Sequence, residues 1–412
     1  MATKNSTAGP GASFLRRHLT EIVLLLGCVV VFAFTAYVND AYIRLFQYNI
    51  QHIIRYTSML GIFAIGAAIV IISGGIDLSS GSMIAFGGMI CCMVISVLAQ
   101  AIAPDAADPT SGVPSWVIVV AVCSTLGVGV LVGTLHAWLI TIVGLPPFVA
   151  TLASLVGLRS LALIMTKAVT KWQGQQAFKI NIQDETFMDI GSVWWIPLLI
   201  FVVVACLAWL LMNRTIVGRH LYAMGGNEEA ARLSGIRTDR LKWLAYCMGT
   251  MTAAIAGILF SSEVGSSDPQ TQGVGYELYA IAAAVVGGCS LQGGVGRITG
   301  VVLGALFLRV VIDAVAKLIG SGSSDYEGLI VGLLVVLAVA FNQLSDQAGG
   351  WKKQFFPGLL GWAAIPTIGC LVGASVLTPE GNPLLGLIAA AVTCVVLSIM
   401  KLAADFAGKK EA

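Results

Sequence analysis

The sequence predicts an all-α polytopic membrane protein with about 10 core transmembrane helices and a C-terminal helical pair. Three observations lead there. Of 412 residues, 57% are hydrophobic and 11% charged, where a soluble domain carries about 25% charged residues. The apolar residues fall into runs near the ~20 residues that a spanning helix needs. Lys and Arg gather in alternate loops between those runs, as the positive-inside rule requires. This composition argues against a water-soluble enzyme, and a net charge of +2 argues against a polyanion binder. Glycine, at 47 residues, suits helices that pack backbone to backbone. The nine cysteines lie in apolar runs with no C-x-x-C pair and no histidine at metal spacing, so they read as packing residues.

A polar, basic tail over residues 1–20 precedes the first run, Glu21 to Val38, which reads as an uncleaved signal anchor. Runs follow at Tyr56 to Ser73, Ser82 to Ala103, Ser115 to Val143, Phe148 to Thr166 and Val193 to Met212. Leu145-Pro146-Pro147-Phe148 is a helix start, because proline presets the first turn. Further runs are Trp243 to Ser262, a short eighth at Glu277 to Gly287, Ile298 to Ile319 and Gly328 to Phe341. After a polar break with Asp346, Lys352 and Lys353 come Phe355 to Leu377 and Leu384 to Ala404, within a C-terminal extension over 345–412. If the N-terminus is cytoplasmic, 15 of the 23 basic residues fall inside, six of them between Arg214 and Lys242. Asp105, Asp108, Asp184, Glu185, Asp325 and Glu327 fall outside. Both termini are therefore expected in the cytoplasm.

The longest hydrophilic pieces, Lys167 to Ser192 outside and Asn213 to Lys242 inside, are too short to fold as domains. No G-x-x-x-x-G-K-[ST] loop is present. Any energy source must come from within the bilayer or from a partner.

Three insertions stand out. Ser73 to Ser82 interrupts apolar sequence with Gly74, Gly75 and Asp77. Irregular backbone at membrane depth must be buried in protein or line a wet cavity, and a carboxylate there usually faces a pathway or a partner. Asp77 either only caps the next helix near Ser79 and Ser80 or caps it and also serves a gate. Val286 to Gly296 repeats the pattern Gly-Gly-x-x-Leu-x-x-Gly, so Gly74–Gly81 and Gly287–Gly294 are either a duplicated unit or a chance match. The third, Gly225 to Ile236, spells a short helix with Asn227 as N-cap, Glu228 and Glu229 at its positive end and Gly235 as stop. Two turns are marginal alone, so the stub is clamped by a partner or rests on the membrane face. Arg309 and Asp313, four apart, are placed to neutralise each other. Arg159 lacks a local partner and either snorkels or lines a pathway. His52, His136 and His220 are scattered and do not read as a proton relay.

Four stretches together resemble one family. Gly74 to Ser82 matches G-G-I-D-L-S-V-G-S, Gly144 to Leu152 matches G-L-P-P-F-x-x-T-L, Gly225 to Ile236 matches G-G-N-E-E-A-A-R-L-S-G-I, and Gly275 to Gly296 matches the eighth-run pattern. In this order they resemble the permease subunits of bacterial ATP-binding-cassette importers for monosaccharides of the ribose, galactose and xylose type. The resemblance covers Leu45 to Leu344. It implies a permease domain over 21–344 in the bacterial inner membrane, a second permease copy or close paralogue, a periplasmic sugar-binding protein and a cytoplasmic ATPase. ATP and Mg would be bound by the ATPase; this chain would carry no cofactor, no catalytic residue and no nucleic acid. Within the cytoplasmic loop 213–242, residues Gly226, Asn227, Glu228, Glu229, Ala230, Ala231, Arg232, Leu233, Ser234 and Gly235 would form the coupling helix. Asp77, Ser79 and Gln292 are pathway candidates, with Glu263, Asp268 and Glu277 as outer docking or gate residues. Two departures are Tyr279, where the family carries aspartate, and Ser80 for valine. The missing acid's role is lost or passes to Glu277. No dense cluster of aromatics and acids is visible along the chain, as expected if selectivity rests on the binding protein. Relatives for nucleosides, branched-chain amino acids or a furanose signal molecule share parts of the pattern. An ion-coupled secondary transporter would place more titratable residues in mid-span.

Overall fold

The computed structural model describes residues 19–106, 108–174 and 177–319, with the short stretches 326–329, 331–334, 336 and 394. In chain order the elements are α1 (Leu19–Val38), α2 (Asp40–Arg44), α3 (Phe46–Ile72), α4 (Ser80–Ile102), α5 (Ser115–Thr141), α6 (Pro147–Trp172), β1 (Ile180–Asn181), α7 (Glu185–Ser192) and α8 (Trp195–Arg214). Then come α9 (Ile216–Gly226), α10 (Glu228–Leu233), α11 (Thr238–Val264), β2 (Ser266–Ser267), α12 (Tyr276–Val286) and α13 (Ile298–Ile319). Eight of these helices are long and apolar enough to cross a membrane. They coincide with the first seven expected runs and the ninth. Half of the tenth run, the C-terminal pair apart from Cys394 and nearly all of the N-terminal tail lie outside the described residues. The chain divides into two compact units, 1–338 and 339–412, and every element from α1 to α13 belongs to the first.

Local chemistry sets the helix ends. Pro147 opens α6 at its first turn, where its missing N–H is no loss. Asp184 caps α7 by accepting from the Phe187 amide at 2.8 Å, and its other oxygen accepts from the Val113 amide at 2.8 Å. One buried carboxylate thus ties two loops together. Gly265, with φ of 65°, ends α11 in the left-handed conformation that glycine adopts without strain.

The interior is built around α11, which packs against α3, α4 and α5. In α3 and α4, 83% and 78% of the most apolar stretch is buried, against 17% in α1 and α6, so the former are core and the latter rim. Rim side chains such as Val29, Leu131, Val156 and Leu207 are exposed apolar groups, as a lipid-facing surface requires. Close approach relies on small residues: a methyl at Gly133 would lie 2.5 Å from the Cys247 Cα, and one at Gly257 would lie 2.9 Å from the Gly88 amide nitrogen. Without a hydrophobic drive between helices in lipid, such dispersion contacts carry the association.

The eighth run is not a full crossing. α12 has 11 residues, about 16 Å at 1.5 Å per residue, roughly half of a ~30 Å hydrocarbon core. Hydropathy found the apolar run but not that the preceding Asp268–Gly275 turns back along α11.

Candidate functional site

The three insertions meet in space. The turn after α3, the α9–α10 connection and the loop before α13 pack backbone to backbone, with the Gly294 amide donating to the Ile72 carbonyl at 2.9 Å. A methyl on Gly225 would strike the Ile72 carbonyl oxygen and lie 2.6 Å from the Gly294 nitrogen, and one on Gly293 would lie 2.8 Å from the Gly74 Cα. Tyr222 closes the junction by donating its hydroxyl to the Gly296 carbonyl at 2.9 Å. The two glycine motifs touch but do not superpose. The left-handed glycine after the helix is Gly74, first of its pair, in one and Gly288, second of its pair, in the other.

Burial in this junction pushes the Cys289 thiol up to about 12. Alkylation proceeds through the thiolate, so Cys289 should stay protonated and resist maleimide at pH 8 until the protein is unfolded. Peptide mapping after labelling of native and detergent-denatured protein checks this.

Asp77 lies just beyond the junction, 4% exposed. Its Oδ1 accepts from the Ser79 amide at 2.8 Å and the Ser79 hydroxyl at 2.6 Å, closing a turn just ahead of α4; the N-cap itself is Ser79, without a side-chain cap bond, so Asp77 is not the expected N-cap. Its Oδ2 is buried without a protein partner among the described residues. His136 and Tyr246 are close enough to Asp77 to interact electrostatically, and His136 Nε2 pairs with the Ser154 hydroxyl at 2.7 Å. Gln292 is exposed on the α12–α13 loop, its amide donating to the Ser290 hydroxyl at 3.3 Å.

A second junction lies farther along α4 and α11. β2 pairs antiparallel with β1, and the chain then turns back along α11. Arg159, near the middle of α6, donates through Nη1 to the Pro269 carbonyl at 2.8 Å and the Gln272 carbonyl at 3.0 Å. It neither snorkels nor merely lines a path; it staples the re-entrant segment. The Gln272 amide group donates to the Ser261 hydroxyl at 2.9 Å. Gly273 packs on the Gly81 carbonyl, and the Glu277 carboxylate packs on Gly81. The first turns of α4 and the short α12 therefore face each other at a glycine, both presenting their positive ends. Tyr279 stacks on Tyr276 at 5.4 Å and approaches Glu327 at 3.5 Å.

Glu263 binds Arg55 at 3.0 Å and accepts from the Tyr56 hydroxyl, both through Oε1. Asp268 accepts from the Gln270 amide at 2.9 Å and the Thr271 hydroxyl at 3.1 Å. With Gln272 and Tyr276 they line a cavity of about 250 Å³. Arg309 and Asp313 form no direct ion pair, although the Arg309 charge still acts on Asp313. Asp313 accepts from the Tyr42 hydroxyl at 2.9 Å and contacts His52 at 3.2 Å, while Arg309 lies over the Tyr56 ring at 4.4 Å. Tertiary partners displaced the sequence neighbour.

The capped inner helix is as expected. The Ala230 amide donates to Asn227 Oδ1 at 2.9 Å, and Gly235, with φ of 84°, stops the helix as the Ile236 amide donates back to the Ala231 carbonyl at 3.1 Å. Of α10 only Ala231 is buried, and Leu233 is 81% exposed. Lys242 braces Glu228 at 2.6 Å.

Long apolar helices around a short one, with glycine junctions and polar groups beside the turns, define a multi-pass membrane transport protein. Residues 49–339 match the family described as "Branched-chain amino acid transport system / permease component". The chain belongs to this family of permease components. It is 32% identical to the ribose import permease protein RbsC of Haemophilus influenzae over 339 residues, covering 82% of this chain and 96% of the relative. To RbsC of Escherichia coli K12 it is 31% identical over 328 residues, covering 79% and 94%. To the L-arabinose transport system permease protein AraH of Escherichia coli K12 it is 33% identical over 357 residues, covering 83% and 98%. No solved structure matches.

Sequence reasoning missed Gln272, Tyr246 and His136 as parts of these junctions. A charged residue in mid-span was the one available signal, and it pointed to Arg159 without identifying its partners.

Proposed function

We propose that this chain is the non-catalytic membrane subunit of an ATP-driven importer that moves a monosaccharide by alternating access. One observation carries the reading: Gly225 and Gly226, which lead into the exposed helix α10, pack directly on the turns at Gly74 and Gly293–Gly294. Displacement of α10 is then transmitted to Asp77, Ser79 and the first turn of α4 without an intervening flexible link. The exposed face from Glu228 to Ser234 suits a groove on a cytoplasmic ATPase, which would bind ATP and Mg. A periplasmic binding protein would deliver sugar to the opposite face, and a second permease copy or close paralogue would complete the path. Both termini are cytoplasmic in this reading, and the permease domain spans 21–344 of an inner-membrane protein. The ribose and arabinose relatives support a sugar. The family description supports a branched-chain amino acid as the second reading.

Reconstitution with the ATPase and binding protein in liposomes tests it. Loaded binding protein should stimulate ATP hydrolysis and sugar uptake. Glu229→Arg, which puts two like charges one turn apart with Arg232, should reduce both by about tenfold, equivalent to about 1.4 kcal/mol, while the protein's thermal stability is unchanged. Uptake driven by an ion gradient without the ATPase would overturn the importer reading; unchanged coupling would overturn the assignment of α10.

A further inference from the structure

The cavity where the re-entrant segment leaves α11 has the make-up of a small-polyol site. Its wall is a run of rings, with Phe260 tilted against Tyr56 at 6.5 Å and edge-on to Tyr276 at 5.2 Å between centroids. Such rings offer apolar faces for the C–H side of a sugar. Polar groups come from Glu263, Asp268 and Gln272. Because Glu263 uses Oε1 for both Arg55 and Tyr56, its Oε2 has no protein partner among the described residues and remains an acceptor for a hydroxyl donor. Hydrogen bonds to an ionised carboxylate are about twice as strong as neutral ones. Gln272 is held by Ser261 and Ser267, so its amide is preorganised rather than free to follow a ligand.

Size and charge narrow the occupant. About 250 Å³ falls just below the ~300–1,000 Å³ typical of sites for drug-sized ligands, which favours one sugar ring over a nucleoside. An α-amino acid brings an ammonium that the two acids attract, but also a carboxylate that they repel and that finds no free cation among the described lining residues, with Arg55 already committed to Glu263. A neutral polyol meets no such repulsion.

We propose that this cavity is a monosaccharide-holding subsite within the permease, where sugar rests on the aromatic wall and donates hydroxyls to Glu263 and Asp268. The proposal rests on the importer reading for its physiological meaning but not for its test. It gives the chain a selectivity of its own, additional to that of a binding protein.

The full-length chain in lipid nanodiscs, without binding protein, is probed by saturation-transfer-difference NMR with D-ribose, L-arabinose and L-leucine. Sugar ring C–H signals are expected for ribose or arabinose, with leucine at least fivefold weaker. Thr271 is an exposed residue on the cavity rim, so Thr271→Trp should fill the space without unfolding the protein and reduce the sugar signal at least fivefold. Glu263→Gln, which keeps the shape and removes the charge, should reduce it by a smaller factor. Sugar signals equal in all three proteins, absent from the unsubstituted chain, or matched by leucine would overturn the subsite. The outcome is distinct from failure of the importer reading. Sugar bound here without any response of ATP hydrolysis to loaded binding protein sinks the importer alone, and the converse sinks the subsite alone.

Discussion

Gly225→Ala is expected to abolish transport and to destabilise the protein, whereas Gly226→Ala, one residue later, is expected to leave both unchanged. The added methyl at 225 meets the Ile72 carbonyl and the Gly294 amide nitrogen, and at 226 it meets nothing within 4 Å. Overpacking commonly costs about 1–3 kcal/mol. At 225 the obstacles are main-chain atoms, which cannot turn aside as a side chain can, so about 3 kcal/mol or more is expected. The same displacement separates the α9–α10 connection from the turn that precedes Asp77, so ATP hydrolysis in the assembled complex should no longer drive uptake. Thermal unfolding in detergent, together with uptake and hydrolysis in liposomes, measures both effects. Equal behaviour of the two substitutions would show that the glycine junction is not a rigid contact.

Arg159→Leu should be nearly as severe, with a different signature. It strands the Pro269 and Gln272 carbonyls and removes the positive charge that faces Glu277. A hydrogen bond to a charged group contributes about 1.5–3 kcal/mol, so loss of both should destabilise by about 3 kcal/mol or more. The re-entrant segment should loosen specifically, and hydrogen exchange should rise over 268–276 with little change around Gly225. Arg159→Lys keeps the charge without the planar fork and should recover part of the stability. Uniform exchange across the chain in Arg159→Leu, or full recovery in Arg159→Lys, would contradict the stapling role.

Much of the fold was legible along the chain because it is local. Runs such as Ser115 to Val143 correspond closely to their helices, and Pro147 and Asn227 act where their own backbone constraint or side-chain oxygen dictates. The eighth run misled because hydropathy counts apolar residues and is blind to chain direction. Glu277 to Gly287 looked like a short crossing, and nothing in the sequence marked Asp268 to Gly275 as a segment that turns back along α11. Arg309 and Asp313 misled for a related reason: four residues apart on a helix allows pairing, but His52, Tyr42 and the Tyr56 ring offered better-placed partners. The aromatic and acidic residues of the cavity were all in view, yet Tyr56 stands more than two hundred residues from Glu263 and Tyr276, so no cluster was visible.

Amino-acid order by itself therefore determined the membrane class, the position of the long apolar helices and the capped inner helix, since hydrophobic length and capping act within one or two turns. Only the tertiary structure decided that Gly74, Gly225 and Gly293–Gly294 form one junction, that Arg159 holds the re-entrant segment, and that three rings and two carboxylates enclose one cavity. Those contacts join residues far apart in sequence, and they depend on helix offsets and backbone approaches that no local pattern encodes.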